Sequence, residues 1–450
     1  MMFHNYWNYI GKLFPLFLGG ILLVCAPLPA HASLPQTVTL AWDQEADPSV
    51  AGYRVYFGTS SGDYSRRIDV GNTPSAAIPN LTVGTTYYFV VTAYDASGLE
   101  SAPSQEVSFT VSTFAGEYKG SITGTDAADS GTIDLYITTT GAFTGTVSYG
   151  GGTSRLNGIF NTTGIAEAII SRGNAPALQM VLNMNPSISG YTITGTVDNG
   201  TSVSQFEADA LPFSKTNPAP YAGQYTVLIQ SGTSASGTPI PSGAAAATLT
   251  VAATGDMIFA GILADGTPFS QRATLSVGGV WNLFLPLYGK NGGMIEGRIQ
   301  FENIDGVSDL DGAVAWVKQA NPRASSYPAG FTANAPLIGS AYSPAGNLVI
   351  SPVTSGIFQA NGANITDPIN ETAAVISASP TALKAAGLFA LSLNISRATG
   401  LVTGSFVNPD TGAKTSLNAV VFQKQGIAQG NFESREPGGN LAGSIQLTPE

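Results

Sequence analysis

The sequence has few of the side chains that enzymes and metal sites use most. Its 450 residues include two histidines and one cysteine, and all three lie in the first 32 residues, at His4, Cys25 and His31. If that segment is removed, the remaining chain has no imidazole and no thiol. Ser-His-Asp hydrolases, Cys-His hydrolases and the usual zinc sites are then excluded. Since a phosphate-binding glycine loop is also missing, we predict a protein that is not an enzyme and has no catalytic residues, no metal and no cofactor.

Charged residues are equally scarce. Only 10% of the residues are charged, and 29 acidic side chains against 18 basic ones give a formal net charge of -11. Such a chain is not expected to bind nucleic acid, because nucleic-acid recognition depends on basic patches. A hydrophobic content of 43% argues against disorder. A mildly acidic surface rich in Gly, Ser and Thr suits neutral polar ligands better than highly charged ones.

Residues 1–32 have the pattern of a secretory signal peptide. Lys12 precedes an apolar run from Leu13 to Val24, and Ala30-His31-Ala32 puts small residues where a signal peptidase cleaves. The run is too short to cross a bilayer as a helix, so no integral membrane span is expected after signal removal. The alternative is a lipoprotein signal in which Cys25 is acylated and retained. Both patterns predict export, to the extracellular space, the cell surface or the periplasm.

The rest of the chain has the pattern of an all-β protein. Short runs of alternating apolar and polar residues are separated by Gly, Asn, Asp or Pro, which is typical of strands joined by hairpin turns. These runs do not alternate with long helices, so a parallel α/β sheet is not expected. Only residues 380–386 have a helical pattern.

A tryptophan and a tyrosine-rich segment mark the first domain after the signal. They are Trp42, the run Gly52-Tyr-Arg-Val-Tyr56, and the segment from Leu81 to Ala93 that contains Tyr87. With these features, residues 35–113 resemble a fibronectin type III domain. The resemblance implies a β-sandwich in which Trp42 lies between two sheets and the Tyr87 hydroxyl binds backbone near a turn. Trp42, Leu81 and Tyr87 are the expected fold-defining residues.

Aromatic side chains of this domain are the candidates for ligand contact. Tyr53, Phe57 and Tyr64 are expected to stack on sugar rings if their faces are exposed. The alternative is that they are half-buried strand residues, which is common for tyrosines in sheets.

Several groups of carboxylates are candidates for a calcium site or a catalytic pair. Calcium needs converging oxygen ligands, and a glycosidase needs two acids facing across a cleft. The alternative for each group is a set of solvated acids in turns, where Asp is common. The candidates are Asp43, Glu45 and Asp47 in the first domain, Asp305, Asp309 and Asp311 in the middle of the chain, and Glu433 with Glu436 near its end.

An internal repeat begins at residue 114. Phe114-Ala-Gly-Glu-Tyr118 matches Tyr221-Ala-Gly-Gln-Tyr225, and a looser third copy starts near Gly339-Ser-Ala-Tyr342. The period is that of a whole domain and is too long for a solenoid repeat. We therefore predict three tandem β-domains, the third of them divergent. Their predicted bounds are 114–215, 219–320 and 333–450, with proline-containing linkers at 217–220 and 321–328.

Eight candidate strands in the first repeat predict its architecture. They lie near 117–124, 130–140, 143–149, 153–160, 164–172, 177–184, 191–198 and 204–211. Consecutive strands with short loops favour an up-and-down meander that closes into a small barrel or a strongly curved sheet. An open sandwich is the alternative. A barrel wide enough for an apolar cavity would add a carrier of small hydrophobic ligands to the possible functions.

Motifs in the last third of the chain add a second resemblance. They include Trp316-Val-Lys-Gln319, the segment 327–332 and the run from Val420 to Gln425. With these motifs, the repeats resemble a family of exported modular proteins of environmental bacteria. The resemblance implies a modular architecture and export, and it implies no reaction.

These features together predict an exported, non-catalytic binding, adhesion or spacer protein of the bacterial cell surface or extracellular space. Polysaccharide or other cell-surface material is its expected partner. Two alternatives stay open. A carboxylate-dependent glycan-degrading enzyme would bring two acids into one cleft, and a purely structural envelope protein would have no ligand site.

Overall fold

A computed structural model gives the fold of the chain. It describes residues 36–82, 84–111, 113–161, 163–173, 175–187, 190–234, 237–290, 292–346, 348, 355–379, 382–435 and 439–450. The predicted signal segment, with Cys25, lies outside the described residues. Within them, the strands form four consecutive sets. The first is a sandwich, and each of the other three is a barrel-like sheet with a main path of eight strands, to which the second barrel adds one short strand.

The first domain is a sandwich of two antiparallel sheets. Its strands are β1 (Gln36–Ala41), β2 (Val50–Gly58), β3 (Arg66–Gly71), β4 (Ser75–Leu81), β5 (Thr86–Asp95) and β6 (Val107–Thr110). One sheet pairs β1 with β4, and the other has the order β3-β2-β5-β6. Val55, Ile78 and Phe89 are fully buried in the core between the sheets. The sandwich predicted from the sequence is confirmed.

The second domain, barrel 1, is an antiparallel meander of eight strands. They are β7 (Gly116–Thr123), β8 (Gly131–Ile137), β9 (Ala142–Tyr149), β10 (Gly152–Ile159), β11 (Ile165–Arg172), β12 (Ala175–Ser187), β13 (Gly190–Asp198) and β14 (Val203–Ala210). The first strand, β7, pairs with the last, β14, which curls the sheet around its core. Among the described residues, β10 and β11 follow each other in sequence but are not paired by hydrogen bonds, so the sheet is open between them. These elements confirm the barrel-like meander predicted for the first repeat.

The third domain, barrel 2, repeats this strand order. Its strands are β15 (Gly223–Ile229), the short β16 (Thr233–Ser234), β17 (Ala245–Val251), β18 (Asp256–Ile262), β19 (Pro268–Thr274), β20 (Val280–Leu287), β21 (Gly293–Ile304), β22 (Ser308–Lys318) and β23 (Phe331–Ala341). β15 pairs with β23, and the short β16 continues this pairing along the same side of β23. The sheet is open between β19 and β20, which corresponds to the opening in barrel 1. A single 3₁₀ turn at Val277–Gly279 joins these two strands.

The fourth domain, barrel 3, is fully closed. Its strands are β24 (Gly356–Gly362), β25 (Ile365–Ala378), β26 (Ala382–Ala386), β27 (Ser392–Ser396), β28 (Leu401–Val407), β29 (Lys414–Phe422), β30 (Ile427–Ser434) and β31 (Leu441–Pro449). Here the fourth and fifth strands, β27 and β28, are paired, and β24 pairs with β31. Closure removes the sheet edges that would otherwise be free to pair with another chain.

Alternation of residue types explains why these segments form barrels. In β8, Ile133, Leu135 and Ile137 are buried, whereas the intervening Asp134 and Tyr136 are more exposed. Successive strand residues point to opposite faces of a sheet, so one face fills the interior of the barrel. Each of the three barrels encloses its own cluster of buried apolar side chains.

Two expectations differ from the structure. The sequence predicts a helix over 380–386, but residues 382–386 form β26, which pairs with the strands on both sides of it. Ladder hydrogen bonds from two neighbours outweigh a weak local helical preference. The sequence also places the start of the third repeat at 333, whereas β23 pairs with β15 and β22 inside barrel 2. The segment 321–328 therefore connects two strands of barrel 2.

Barrels 2 and 3 pack together through outward-facing strand residues. Leu228 of barrel 2 lies in a buried apolar cluster with Val420 and Phe422 of barrel 3. Asn431 of barrel 3 is 2% exposed, and its Nδ2 donates to the Ala244 carbonyl at 2.7 Å. Residues that would face solvent on a free barrel are thus buried between the two.

Barrels 1 and 2 also meet. Asp209, at the end of β14, accepts hydrogen bonds from Asn282 Nδ2 and from Arg298 Nη1, both at 2.8 Å. Ala127 of barrel 1 packs in a small buried cluster with Met294 of barrel 2. The contact therefore combines a charged pair with apolar packing.

Candidate functional site

Two of the three aromatic residues predicted to stack on a ligand are buried. Tyr53 and Phe57 are 3% and 4% exposed. Tyr53 packs edge-on against Trp42, with ring centroids 5.5 Å apart, and Phe57 stacks on Phe89 at 5.8 Å. Tyr64 is half-buried, and its hydroxyl donates to a carboxylate of the same domain at 2.6 Å. Because their rings fill the sandwich, Tyr53 and Phe57 cannot serve as a stacking platform, which corrects that prediction.

The expected fold-defining residues lie at or beside the sandwich core. Leu81 and Tyr87 are 3% and 2% exposed, and Trp42 packs against the same cluster while half-buried. The Tyr87 hydroxyl accepts a hydrogen bond from the Thr82 backbone N–H at 3.1 Å. This contact ties the start of β5 to the end of β4.

The acids of the first domain take part in local contacts. Asp47 Oδ1 accepts from the Ser49 backbone N–H at 2.8 Å and from its hydroxyl at 2.7 Å. These bonds lower the pKa of Asp47. Asp43 is exposed and Glu45 half-buried. In the part of the chain that the structure describes, no three His, Cys, Asp or Glu side chains come together as metal ligands.

Asp309 connects barrels 2 and 3. Its Oδ1 lies 3.0 Å from Lys424 Nζ, and its Oδ2 accepts from the Ala341 backbone N–H at 2.7 Å. The carboxylate is therefore engaged on both oxygens.

The other candidate acids that the structure describes lie in one turn and on two strands, β22 and β30. Asp305 is exposed in the turn after β21, and Asp311 accepts from the Ser308 hydroxyl at 3.1 Å. Glu433, on β30, accepts a hydrogen bond from Ser326 Oγ. Glu436 lies outside the described residues.

A groove of about 290 Å³ lies on the outer face of barrel 3. It runs over the adjacent strands β25, β24, β31 and β30, and every residue that lines it is uncharged. The lining residues are Gln359, Ala360, Asn361, Pro368, Ile369, Asn370, Gln429, Ser444, Ile445 and Gln446. We call this feature the amide groove.

A row of four side-chain amides crosses the amide groove. Asn370, Gln359, Gln446 and Gln429 are paired in register on four adjacent strands. Residues paired across antiparallel strands point to the same face of the sheet. With strands about 4.8 Å apart, the row spans about 14 Å.

A shorter polar row lies beside the first one. Asn361, Ser444 and Asn431 are also in register, and Ser444 Oγ donates to Asn361 Oδ1 at 2.6 Å. Asn431 at the end of this row is held by the Ala244 carbonyl of barrel 2. The packing of barrel 2 against barrel 3 therefore fixes the end of the shorter row, next to the lining residue Ser444.

The side chains of the groove are available for a ligand to different degrees. Gln359 and Asn370 are exposed and share a long contact of 3.4 Å, from Gln359 Nε2 to Asn370 Oδ1. Gln429 and Gln446 are half-buried, and no hydrogen bond joins their side-chain amides to another of the described residues. Each amide offers two donors and one acceptor oxygen. The groove is thus equipped to exchange hydrogen bonds with a neutral, hydroxyl-rich molecule.

Part of this site is visible in the sequence. Gln359-Ala-Asn361, Gln429-Gly-Asn431 and Ser444-Ile-Gln446 alternate polar and small or apolar residues, which indicates strands with one polar face. The sequence alone does not predict the groove, because the groove depends on which strands become neighbours in the barrel. Closure pairs β24 with β31, and no local pattern specifies that contact.

Comparisons with known proteins identify one domain. Residues 27–110 match the fibronectin type III domain family. A search of the curated proteins found no match. Among solved structures, the chain is similar to a double mutant of the vaccine antigen transferrin-binding protein B from Haemophilus parasuis, with 10% identity and a TM-score of 0.18 over 92% of this chain and 99% of that chain. It is also similar to isotype 1 transferrin-binding protein B from serogroup B Neisseria meningitidis, with 8% identity and a TM-score of 0.20 over 81% and 84% of the two chains.

A fibronectin type III domain followed by barrel-like domains fits a binding or structural role and an extracellular or surface location. No helix of the described residues has the length and apolar character needed to cross a membrane. The comparisons thus identify the first domain as a fibronectin type III domain.

Proposed function

We propose that this chain is an exported, non-catalytic binding protein of the bacterial surface or extracellular space, and that it holds neutral polysaccharide in the amide groove of barrel 3. The observation that carries the proposal is the lining of the groove, which consists of amides, a hydroxyl and apolar groups without a charge. The predicted signal segment and the fibronectin type III domain support export.

The chemistry of the groove favours sugars over charged ligands. Sugar hydroxyls both donate and accept hydrogen bonds, as side-chain amides do. A charged polymer would gain no opposite charge from the lining, and the net charge of -11 would repel an anionic one. Exposed Pro368, at one border of the groove, offers an apolar surface to the C–H face of a sugar ring.

The position of the groove supports a binding role in a second way. Its polar side chains stand on paired strands of a closed barrel, and barrel 2 holds Asn431, which is paired with the lining residue Ser444. A rigid site loses little conformational entropy when a ligand binds. The amides are therefore arranged before the ligand arrives.

The proposal of a non-catalytic role rests on what the candidate acids contact. Asp309 is paired with Lys424, and Glu433 accepts from Ser326. A hydrolase of the carboxylate type needs two acids about 5 to 10 Å apart in an open cleft. We therefore expect polysaccharide to be bound without being cleaved.

The test is a pull-down of the purified full chain with insoluble polysaccharides and intact bacterial cells, with released sugars assayed in the same tubes. We expect retention on neutral polysaccharide with no sugar release, and weak retention on anionic polymers. Asn370→Ala and Gln446→Ala should each reduce retention. Matched controls are Asn394→Ala, an exposed asparagine on β27, and Gln179→Ala, an exposed glutamine on β12 of barrel 1.

The outcomes separate the alternatives. Release of soluble sugars that is lost on substitution of the acids would establish the glycan-degrading enzyme. Retention that the groove substitutions leave unchanged would place binding elsewhere on the chain. Failure of the wild-type chain to bind any of these materials would leave the purely structural role.

A further inference from the structure

A buried lysine and a buried aspartate lie in contact at one end of barrel 2. Lys318 is the last residue of β22, and Asp265 lies in the turn between β18 and β19. Lys318 Nζ is 2.7 Å from Asp265 Oδ2, and the two side chains are 6% and 0% exposed. The other lysine pair that joins distant parts of the chain, Lys424 with Asp309, is 17% and 20% exposed. The Lys318 pair is thus much more deeply buried.

The surroundings of this pair give the ammonium group fewer hydrogen-bond acceptors than it has donors. An ammonium group has three donors, yet among the described residues Asp265 Oδ2 is the hydrogen-bond acceptor that Lys318 Nζ contacts. Its other contact is the ring of Tyr288, whose centroid is 4.5 Å away. Removing two charges from water is costly unless further hydrogen bonds satisfy them. A neutral amide carries no charge, so condensation would remove the desolvation cost of both ions.

The two oxygens of Asp265 have different partners. Oδ1 accepts from the Thr267 backbone N–H at 3.1 Å. Oδ2 accepts from the Tyr288 hydroxyl at 2.8 Å and from Lys318. The Tyr288 hydroxyl is held in turn by Trp316 Nε1, which donates to it at 3.0 Å. One oxygen is thus placed to stay as a carbonyl, and the other is placed to receive protons and leave.

The backbone at Tyr288 shows that this arrangement is held against local strain. Tyr288 has a φ of 58°, in the left-handed region that side chains other than glycine seldom adopt. The strain is retained where surrounding contacts determine the conformation. Here those contacts aim the phenol at Asp265 Oδ2.

We propose that Lys318 and Asp265 condense to an intramolecular amide bond that links β22 to the turn between β18 and β19. A proton moves from the ammonium to Asp265 Oδ2, and the neutral Nζ attacks Cγ to form an N–C bond. The Cγ–Oδ2 bond then breaks, and Oδ2 leaves as water with two protons that came from the nitrogen. Oδ1 becomes the amide oxygen, held by the Thr267 N–H, and the Tyr288 hydroxyl supports the departure of Oδ2 as a hydrogen-bond donor.

The bond would connect two parts of barrel 2 that are distant in sequence. β18 and β22 are separated by the opening between β19 and β20. No ladder of hydrogen bonds joins β19 to β20 among the described residues. A covalent link between the two sides of this opening would hold them together instead. It is independent of ligand binding in the amide groove, so it holds or fails separately from the proposed function.

Mass spectrometry of the full chain gives a direct test. We expect the wild-type protein to be lighter by one water than its sequence requires. Tryptic digestion should give residues 216–272 joined to residues 299–323, because a condensed Lys318 is no longer a cleavage site. Lys318→Arg and Asp265→Ala should each restore the full mass and remove the joined peptide. Lys424→Arg, in the more exposed pair, should behave like the wild type and show both the mass deficit of one water and the joined peptide.

The joined peptide can be identified whether or not the N-terminal segment is removed. The measurement on the wild-type chain also does not require any variant to fold. A wild-type chain at full mass, cleaved normally after Lys318, would overturn the proposal and leave an ion pair. A mass deficit that persists in Lys318→Arg would also overturn it, because the condensation would then involve other residues.

Discussion

Asp209 and Arg298 join barrels 1 and 2 through a carboxylate that is buried although it lies on an outer face. The Asp209 side chain is 2% exposed, and Arg298 Nη1 lies 2.8 Å from its Oδ2. Asn282 donates to the same oxygen. A buried carboxylate needs such partners, since without them its desolvation would be uncompensated. The pair therefore couples the position of one barrel to that of the next.

Asp209→Ala is expected to loosen barrel 1 from barrel 2. The loss of charged hydrogen bonds should cost about 1–3 kcal/mol. Lys215, exposed in the connection between the barrels, should then be cleaved faster by trypsin, and the rate of that cut is the measurement. Asp134→Ala is the matched control, because Asp134 is 48% exposed and its pair with Lys119 is 3.8 Å long. Equal rates for both variants would contradict the role of Asp209.

Because of Glu296, we expect the stability of the region where barrels 1 and 2 meet to depend on pH. It lies on β21 and is 5% exposed, and burial raises its pKa to about 7, with a smaller opposing effect from Ser130 of barrel 1. The folded state thus favours the protonated acid. Its stabilising contribution is complete below the ordinary pKa of 4.5, falls as the pH rises, and is lost above a pH of about 7. Over this pH range, the contribution of Glu296 to the free energy of unfolding should change by roughly 3 kcal/mol.

Glu296→Gln mimics the protonated acid and should remove this pH dependence. We expect the variant and the wild type to unfold at similar temperatures at about pH 4, and the variant to be more stable at about pH 8. Thermal unfolding measured across that range is the test. Glu302→Gln, at an exposed position of the same strand, should follow the wild type at every pH. A constant difference between Glu296→Gln and wild type would show that Glu296 does not titrate differently on folding.

Tyr87→Phe should weaken the sandwich by removing one hydrogen bond. The Tyr87 hydroxyl accepts from the Thr82 N–H, and an N–H left without this partner in a partly buried site costs about 1–3 kcal/mol. Chemical denaturation followed by a probe in this domain measures the loss. Tyr88→Phe, at a neighbouring half-buried tyrosine on the opposite face of β5, is the control and should change stability little. A loss of equal size in both variants would argue against a specific role of Tyr87.

The sequence was most informative where structure is local. The eight strands of barrel 1 follow from alternation and turn residues, as in Ile133-Asp-Leu-Tyr-Ile137, where every second side chain is buried. Residues 382–386 show where local pattern fails. They form β26 because they pair with the strands on both sides, although their own sequence favours a helix. Local pattern cannot supply contacts of that kind.

The candidate sites were harder to predict for the same reason. The aromatic residues Tyr53 and Phe57 suggest a stacking surface. They are buried because the face of the strand that carries them packs against the second sheet, and this packing cannot be inferred from the local sequence. The amide groove requires the pairing of Gln359 with Gln446, which follows from barrel closure. The contact between Asp265 and Lys318 likewise joins residues that only the curled sheet brings together.

The most direct test of polysaccharide binding is the affinity of the full chain for a soluble neutral polysaccharide, measured by calorimetry at low and high salt. Recognition by uncharged amides predicts an affinity that changes little with salt, since screening acts on charges. The double variant Gln359→Ala/Gln446→Ala should bind roughly ten- to a hundredfold more weakly, because each lost hydrogen bond is worth about 0.5–1.5 kcal/mol. Equal affinities for the variant and the wild type, or binding that disappears at high salt, would contradict the account.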